Sequence, residues 1–169
     1  MTNSGGFPSR FKKPEDSPGF LLWQVTNSWQ RRIRHALKEI GLTHVQFVLL
    51  TATDWLSNAR LPTTQSNVAK FAHTDVMMTS QVIRTLKGKG LVVVEESPSD
   101  TRAHVLKVTP AGKQLVERAL ELVEDADGKF FGPLARDSVR FVEMLNVLID
   151  SEKGSESKPP NRGALRERD

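Results

Sequence analysis

The 169-residue chain contains no cysteine and no tyrosine. Without cysteine there is no disulfide framework, no cysteine-based zinc or iron–sulfur site, no thiol nucleophile and no thiol redox switch. No apolar run approaches the ~20 residues that a membrane-spanning helix needs, and the N-terminal region lacks the apolar segment of a signal peptide. We therefore expect a cytoplasmic protein with no membrane partner.

Catalytic motifs are also missing. The four histidines show neither H-x-x-H nor H-E-x-x-H spacing, and no G-x-S-x-G occurs. The Gly-Lys-Gly run at 88–90 fits a helix end better than a phosphate loop. We therefore predict that the chain is not an enzyme and has no cofactor.

Charge is distributed unevenly along the chain. The whole sequence carries 24 Lys+Arg against 20 Asp+Glu. Residues 60–113 hold eight Lys/Arg and four Asp/Glu, whereas residues 114–150 hold four and eight. The basic central third favours a polyanionic partner, although uneven scatter of charge is the ordinary alternative.

Composition divides the chain into a structured region, 20–150, and two predicted flexible tails, 1–19 and 151–169. The tails are rich in Gly, Pro, Ser, Glu and Lys and have too few large apolar residues to offset the entropy of ordering. Within the structured region, apolar residues recur at helical spacing over 20–58 and again over 110–150. Thr43 and Gln46 form a predicted capping box, and Thr109 with Pro110 predicts a second helix start.

The segment 60–109 combines two short helices with a hairpin. The first helix is predicted from Gln65 to Ala72, and the second runs from Val76 to about Lys89 after a short turn. The sequence then changes to β-branched residues at 91–95 and 103–109, separated by a turn cluster. The predicted fold class is α+β, mostly helical, with a helix-turn-helix followed by a two-stranded wing.

Three short motifs occur in order along this region. The stretch 41–47 reads GLTHVQF, the stretch 86–92 reads LKGKGLV, and Asp100-Thr101-Arg102 leads into VLKVTPAG at 105–112. They resemble the second-helix start, the end of the recognition helix and the D-x-R wing of the MarR/SlyA family of winged-helix transcription regulators. The resemblance covers roughly 20–150 and implies a winged helix-turn-helix domain with N- and C-terminal dimerisation helices.

The resemblance implies a homodimer that binds a pseudo-palindromic operator in double-stranded DNA. The wide apolar stripes of the helices at 20–40 and 137–150 agree with this, because the wing domain alone is too small to cover them. Packing of both stripes within one chain is the alternative. A protein-interaction module without specific DNA readout also stays open.

Candidate DNA contacts follow from the geometry of a helix in the major groove. The outward face of the second helix predicts base contacts by Met77, Met78, Ser80, Gln81 and Arg84. Helix starts predict phosphate contacts by Thr64, Gln65, Ser66 and Thr74. We expect Lys70, Lys87 and Lys89 to add nonspecific electrostatic attraction to DNA. Core packing is the alternative for the two methionines, which differ from the Ser/Thr usual in this part of the family.

The wing supplies a further candidate. Arg102 resembles the family's wing arginine, which enters the minor groove, where a narrow A·T-rich groove concentrates negative potential. Asp100 is placed to orient the guanidinium. The alternative is a surface Asp–Arg pair within a turn, which would contribute little.

The family resemblance also implies a small aromatic or anionic effector bound between the dimerisation helices and the DNA-binding lobe. Candidate lining residues are Trp23, Trp29, His35, His44, Phe47 and Trp55. Core packing is the alternative for these aromatic side chains. A metal-responsive regulator is a further alternative, because His44 with Asp54 or His35 with Glu39 could form a weak zinc site. We assign no metal ligand.

Overall fold

The computed structural model describes residues 8–97 and 100–156. Within these ranges the fold consists mainly of helices and includes one two-stranded antiparallel sheet. The helices are α1 (Pro18–Lys38), α2 (His44–Asn58), α3 (Gln65–Phe71), α4 (Val76–Gly88), α5 (Pro110–Phe131) and α6 (Ser138–Glu156). The strands are β1 (Val92–Ser97) and β2 (Asp100–Val108), and short 3-10 helices occur at Pro14–Asp16 and Gly132–Asp137. The predicted α+β class and the order of its elements are confirmed.

Side-chain caps determine where several helices begin. The predicted capping box of α2 is present, with Gln46 N donating to Thr43 Oγ1 at 3.3 Å and Thr43 N donating to Gln46 Oε1 at 3.2 Å. At the start of α5, Gly112 N donates to Thr109 Oγ1 at 3.0 Å. These bonds satisfy amides that have no partner inside the helix.

Two helices extend beyond the boundaries predicted from sequence. α1 begins at Pro18 because Ser17 caps it, accepting a hydrogen bond from Phe20 N, and Pro18 needs no amide partner in the first turn. α6 runs to Glu156, six residues into the predicted C-terminal tail. Ser, Glu and Lys are compatible with a helix, and Ser151 and Glu152 in this extension are exposed.

The sheet is a hairpin that pairs Val92 with Val108 at its base and continues to Glu96 opposite His104. The loop before α3 joins its outer edge, since Leu106 N donates to Thr63 O at 2.9 Å and Thr63 Oγ1 donates to Leu106 O at 2.8 Å. The sheet therefore lies beside the segment that leads into the two short helices.

The chain divides into two compact units, Met1–Gly128 and Lys129–Asp169. The core of the first unit joins α1, α2, α3, α4, the hairpin and α5. Its largest fully buried side chains are Ile33, Leu37, Leu49, Leu50, Ile83, Leu86, Leu106, Val68, Val92, Thr53 and Thr79. In the second unit, Phe131 contacts Phe130 and Phe141, with ring centroids 5.0 and 5.9 Å away.

Apolar residues near the starts of α1 and α4 are exposed, although the helical spacing of α4 predicts an inward position for Val76. Leu22 and Val25 on α1 are 53% and 42% exposed, and Val76 at the start of α4 is 54% exposed. For Val76 the prediction was wrong because the first turn of α4 projects beyond the core. The apolar stripe of α1 is buried only in its second half, at Ile33 and Leu37.

Among the described residues, no helix has the length and apolar character required to cross a bilayer.

Candidate nucleic-acid interface

A helix-turn-helix is formed by α3 and α4. After α3, His73 adopts the left-handed region at φ 50, and Thr74 N donates to Ala69 O at 2.9 Å. This bond closes the helix end and turns the chain sharply toward α4. The geometry matches the predicted turn between the two helices.

The start of α4 is held by three side chains. Asp75 caps it by accepting a hydrogen bond from Met78 N at 3.0 Å. Thr79 Oγ1 donates to Asp75 O at 2.8 Å and lies 2.8 Å from Thr74 Oγ1. Because Thr79 is fully buried, this hydroxyl pair fixes the angle between the two helices from inside the turn.

One face of α4 is exposed and the opposite face is buried. Thr79, Ile83 and Leu86 are 0%, 1% and 0% exposed, whereas Met77 is 80% exposed. Gln81 and Arg84 follow Met77 at i+4 and i+7 and are also exposed. The alternative that Met77 packs in the core is therefore wrong. The exposed face presents an apolar side chain, an amide and a guanidinium, which together can contact a thymine methyl, an adenine and a guanine.

The other predicted base contacts are less exposed. Met78 is 40% exposed and Ser80 is half-buried. Both lie in the first half of α4, close to Met77, which is the more exposed residue. They border the exposed face and do not form its centre.

The residues predicted to contact phosphates differ in the hydrogen bonds that they make within the protein. Thr64 caps α3 by accepting from Asn67 N at 3.2 Å, and Gln65 and Ser66 follow it in the first turn. Thr74 is half-buried, and its hydroxyl is used inside the turn by Thr79 and, at 3.5 Å, by Ala69 O. The hydroxyl of Thr74 therefore stabilises the helix-turn-helix from within.

The three lysines predicted to attract phosphates differ in their contacts with the protein. Lys70 and Lys87 are exposed. Lys89 differs from that expectation, because its ammonium donates to Gly41 O at 2.7 Å and to Gln46 Oε1 at 3.1 Å. The sequence showed no signal for this contact, since the partners lie more than 40 residues away.

β2 begins at Asp100, three residues before the predicted start of the second strand, so the backbone of Asp100 and Arg102 belongs to the strand and not to the predicted turn. The side chains of these two residues lie outside the described part of the chain. The proposed guanidinium–carboxylate pair therefore stays a prediction.

The structure brings two of the six predicted effector residues together. The rings of Trp29 and His44 meet edge to face at 5.1 Å, and Trp29 Nε1 donates to Asp127 Oδ1 on α5 at 2.7 Å. This cluster joins α1, α2 and α5. Sequence reasoning missed Asp127, which only the packing of α5 brings to Trp29.

The remaining four predicted effector residues have other surroundings. Trp55 is 52% exposed and stacks on Phe71 of α3 at 4.8 Å. Trp23 is 64% exposed and stacks on Phe20 at 6.2 Å. Phe47 is part of the core and His35 is exposed. For Phe47 the core alternative is confirmed.

His44 predicts a pH dependence of stability. Burial lowers the pKa of His44 and the nearby charge of Arg34 lowers it further, whereas Asp127 acts in the opposite direction. The folded protein therefore binds this proton less readily than the unfolded chain, whose pKa is near 6.5. The free energy of unfolding is therefore expected to be highest above pH 6.5. It should decrease as the pH falls from there through the lower pKa that His44 has in the folded protein.

Thermal unfolding at pH 7.5 and pH 5.5 measures this effect. His44→Phe keeps an aromatic ring against Trp29. We expect its melting temperature to fall less between pH 7.5 and pH 5.5 than that of the parent protein. An equal loss in both proteins would show that His44 does not contribute.

The described residues contain no group of three or more His, Asp or Glu that could hold a metal ion. His44 and Asp54 are ten positions apart on α2, which separates them by about 15 Å along the helix axis. His35 and Glu39 offer only two donors, fewer than a zinc site uses. The structure gives no support to the metal-responsive alternative.

A helix-turn-helix with an exposed second helix, followed by a two-stranded hairpin, defines a winged-helix DNA-binding protein. Comparison with known proteins agrees. The family model of the MarR family matches residues 42–104. The HTH-type transcriptional regulator YdcH of Bacillus subtilis (strain 168) is 43% identical over 144 residues, covering 85% of this chain and 97% of YdcH. The chain belongs to the MarR family of helix-turn-helix transcriptional regulators.

Solved structures share the same fold. BpsR of Bordetella bronchiseptica, whose DNA binding is regulated by 6-hydroxynicotinic acid, aligns with a TM-score of 0.74 at 26% identity, covering 85% of this chain and 99% of BpsR. The repressor CouR of Rhodococcus jostii RHA1, bound to a 23-mer DNA duplex, aligns with a TM-score of 0.69 at 25% identity and covers 80% of this chain and 94% of CouR. The relatives are transcriptional regulators, a class of proteins that are not enzymes.

Proposed function

We propose that this regulator acts in the cytoplasm as a repressor and binds a pseudo-palindromic DNA operator as a homodimer. α4 enters the major groove and the wing contacts the minor groove. The observation that carries the proposal is the face of α4 formed by Met77, Gln81 and Arg84, which is exposed although the opposite face lies in the core. CouR, which has the same fold, has been solved on duplex DNA.

Selection of bound duplexes from a random pool tests this proposal. We expect an enriched sequence with two inverted half-sites about 10–10.5 base pairs apart or a multiple of this spacing, because a two-fold symmetric dimer presents two recognition helices. Log affinity for that site should fall linearly with log salt. Recovery of no preferred sequence would favour the protein-interaction alternative.

Homodimer formation is supported by apolar side chains that each unit leaves exposed. On α1 they are Phe20, Leu21, Leu22, Trp23 and Val25, and on α6 they include Val139, Val142, Val147 and Leu148. Val147 is 69% exposed and Trp23 is 64% exposed. Patches of large apolar residues at both ends of a chain are typical of an interface between two copies.

Light scattering at micromolar protein is therefore expected to give twice the chain mass of 18.9 kDa. Leu22→Glu should shift the protein toward monomer, because it places a charge in the apolar face of α1. Gln24→Glu introduces the same charge at an exposed polar position of the same helix and should leave the dimer intact. A monodisperse monomeric parent that still binds a palindrome would contradict the proposed assembly.

We further propose that a small aromatic or anionic effector releases the DNA. The support is the cluster of Trp29, His44 and Asp127, which combines aromatic surface with titratable and hydrogen-bonding groups, and the regulation of BpsR by a hydroxylated aromatic acid. Titration of aromatic carboxylates against the protein–operator complex tests the proposal. Release of DNA by the parent, together with loss of release in Trp29→Leu, is the expected result.

A further inference from the structure

Lys89 directly follows α4, and its side chain reaches the junction between α1 and α2. Nζ donates to the carbonyl oxygen of Gly41 at 2.7 Å and to Oε1 of Gln46 at 3.1 Å. Gly41 lies just beyond α1 with φ 68, and Gln46 is the capping-box residue of α2. One ammonium group therefore joins the ends of three helices.

Both acceptors are suited to a fixed cation. Gly41 O lies beyond the C-terminal end of α1, where the helix dipole favours positive charge. Gln46 is only 9% exposed, and its Oε1 already accepts from Thr43 N at 3.2 Å. Since a carbonyl oxygen has two lone pairs, Lys89 uses the acceptor capacity that the capping box leaves free. Packing and capping thus fix the oxygen to which Lys89 binds.

The two ends of α4 are held in different ways. Its N-terminal end is fixed by the cap at Asp75 and by the Thr74–Thr79 hydroxyl contact. Its C-terminal end rests on Leu86 in the core and, beyond the helix, on Lys89. Arg84 and Lys87, which face outward, lie in this second half of the helix.

We propose that Lys89 is a positioning residue for DNA reading. It holds the C-terminal end of α4 against the α1–α2 junction and makes no phosphate contact. This role rests on the proposed function, in which α4 faces the operator. Base readout requires side chains held to within about 0.5 Å, so a loosened helix end weakens binding to the preferred site more than binding to random DNA.

Lys89→Met and Lys87→Met form a matched pair for the test. Each replaces an ammonium by an apolar chain of similar length, but the exposed side chain of Lys87 makes no hydrogen bond or ion pair with the residues that the structure describes. Operator and random duplexes are titrated over a range of salt, at a temperature where circular dichroism shows each variant fully folded. Hydrogen exchange of residues 41–46 and of the second half of α4 is measured in parallel.

For Lys89→Met we expect about a three- to tenfold loss of operator affinity, with random-duplex affinity and the salt slope unchanged. Exchange should become faster at both segments, and Lys89→Arg should restore exchange and affinity because a guanidinium also donates to two oxygens. For Lys87→Met we expect equal weakening on both duplexes, a salt slope lower by about one, and unchanged exchange.

The proposal is overturned if Lys89→Met lowers the salt slope by about one and leaves exchange unchanged, because Lys89 would then be a phosphate contact. Faster exchange without a change in the ratio of operator to random affinity would also overturn it, leaving Lys89 with a structural role only. Failure of the proposed function has a different signature. The parent would then show no salt-dependent binding to either duplex, whatever the exchange data report.

Discussion

Replacing Gly112 by alanine is expected to lower the free energy of unfolding by about 2–3 kcal/mol, an overpacking cost at the upper end of its usual range. A Cβ at this position would clash with Leu91 O and would lie only 2.7 Å from Val108 Cγ1. Gly112 is buried in the first turn of α5, where the helix begins on the base of the hairpin. A methyl group there has no space.

The obstructing carbonyl cannot move away easily. Leu91 O accepts a hydrogen bond from Thr109 N at 3.0 Å, and Thr109 Oγ1 donates to Gly90 O at 2.8 Å. The same hydroxyl caps Gly112 N. Relieving the clash would therefore disturb the cap of α5 and the base of the wing together.

Gly128→Ala provides the control within the same helix. Nothing lies within 4 Å of a Cβ built at Gly128. Alanine there should raise stability by about 0.5–1 kcal/mol, because glycine is a poor helix former. Urea denaturation at one fixed protein concentration measures both variants.

Equal stabilities of the two variants would contradict the packing argument. Failure of Gly112→Ala alone to give folded protein would be the same result in a stronger form.

Truncation of Arg84 is expected to cost roughly 1–3 kcal/mol of operator binding and to relax the preference at one base pair in each half-site. Arg84 is exposed at i+7 from Met77, on the face opposite Ile83 and Leu86. A guanidinium can donate two parallel hydrogen bonds to the major-groove edge of guanine, and these bonds are lost only where guanine was read.

The measurement compares Arg84→Ala and parent across a panel of single-base operator variants. Lys87→Ala is the control, since both residues are exposed and cationic on the same helix. It should weaken all operators alike and lower the salt slope by about one, because phosphates occur in every sequence. If Arg84→Ala instead weakens every operator equally, α4 is not the element that reads bases.

Local structure was predictable from sequence because its causes are short-range. The capping box at Thr43 and Gln46, the start of α5 after Thr109 and the turn between α3 and α4 each depend on side chains a few residues from the backbone groups that they satisfy. The exposed face of α4 followed from the helical period, which placed Gln81 and Arg84 opposite the core. The family motifs occur in these same segments.

Long-range contacts decided what several of those side chains do. Lys89 and Lys87 are equivalent in sequence, two lysines near a helix end, yet only Lys89 meets the α1–α2 junction. Trp29 pairs with Asp127, while Trp55 stacks on Phe71, so the aromatic residues of one predicted pocket are distributed over separate contacts.

The sequence by itself determined the order of the helices and strands, the caps of α2 and α5 and the face that α4 leaves outside, since each depends on neighbours along the chain. Only the tertiary structure decided that Gly112 must lack a side chain, because its neighbour Leu91 is more than 20 residues away. It likewise decided that Thr74 braces a turn through Thr79 and that Lys89 binds Gly41. Such partners are brought together by the packing of apolar faces, which specifies distances between elements that periodicity along one element does not contain.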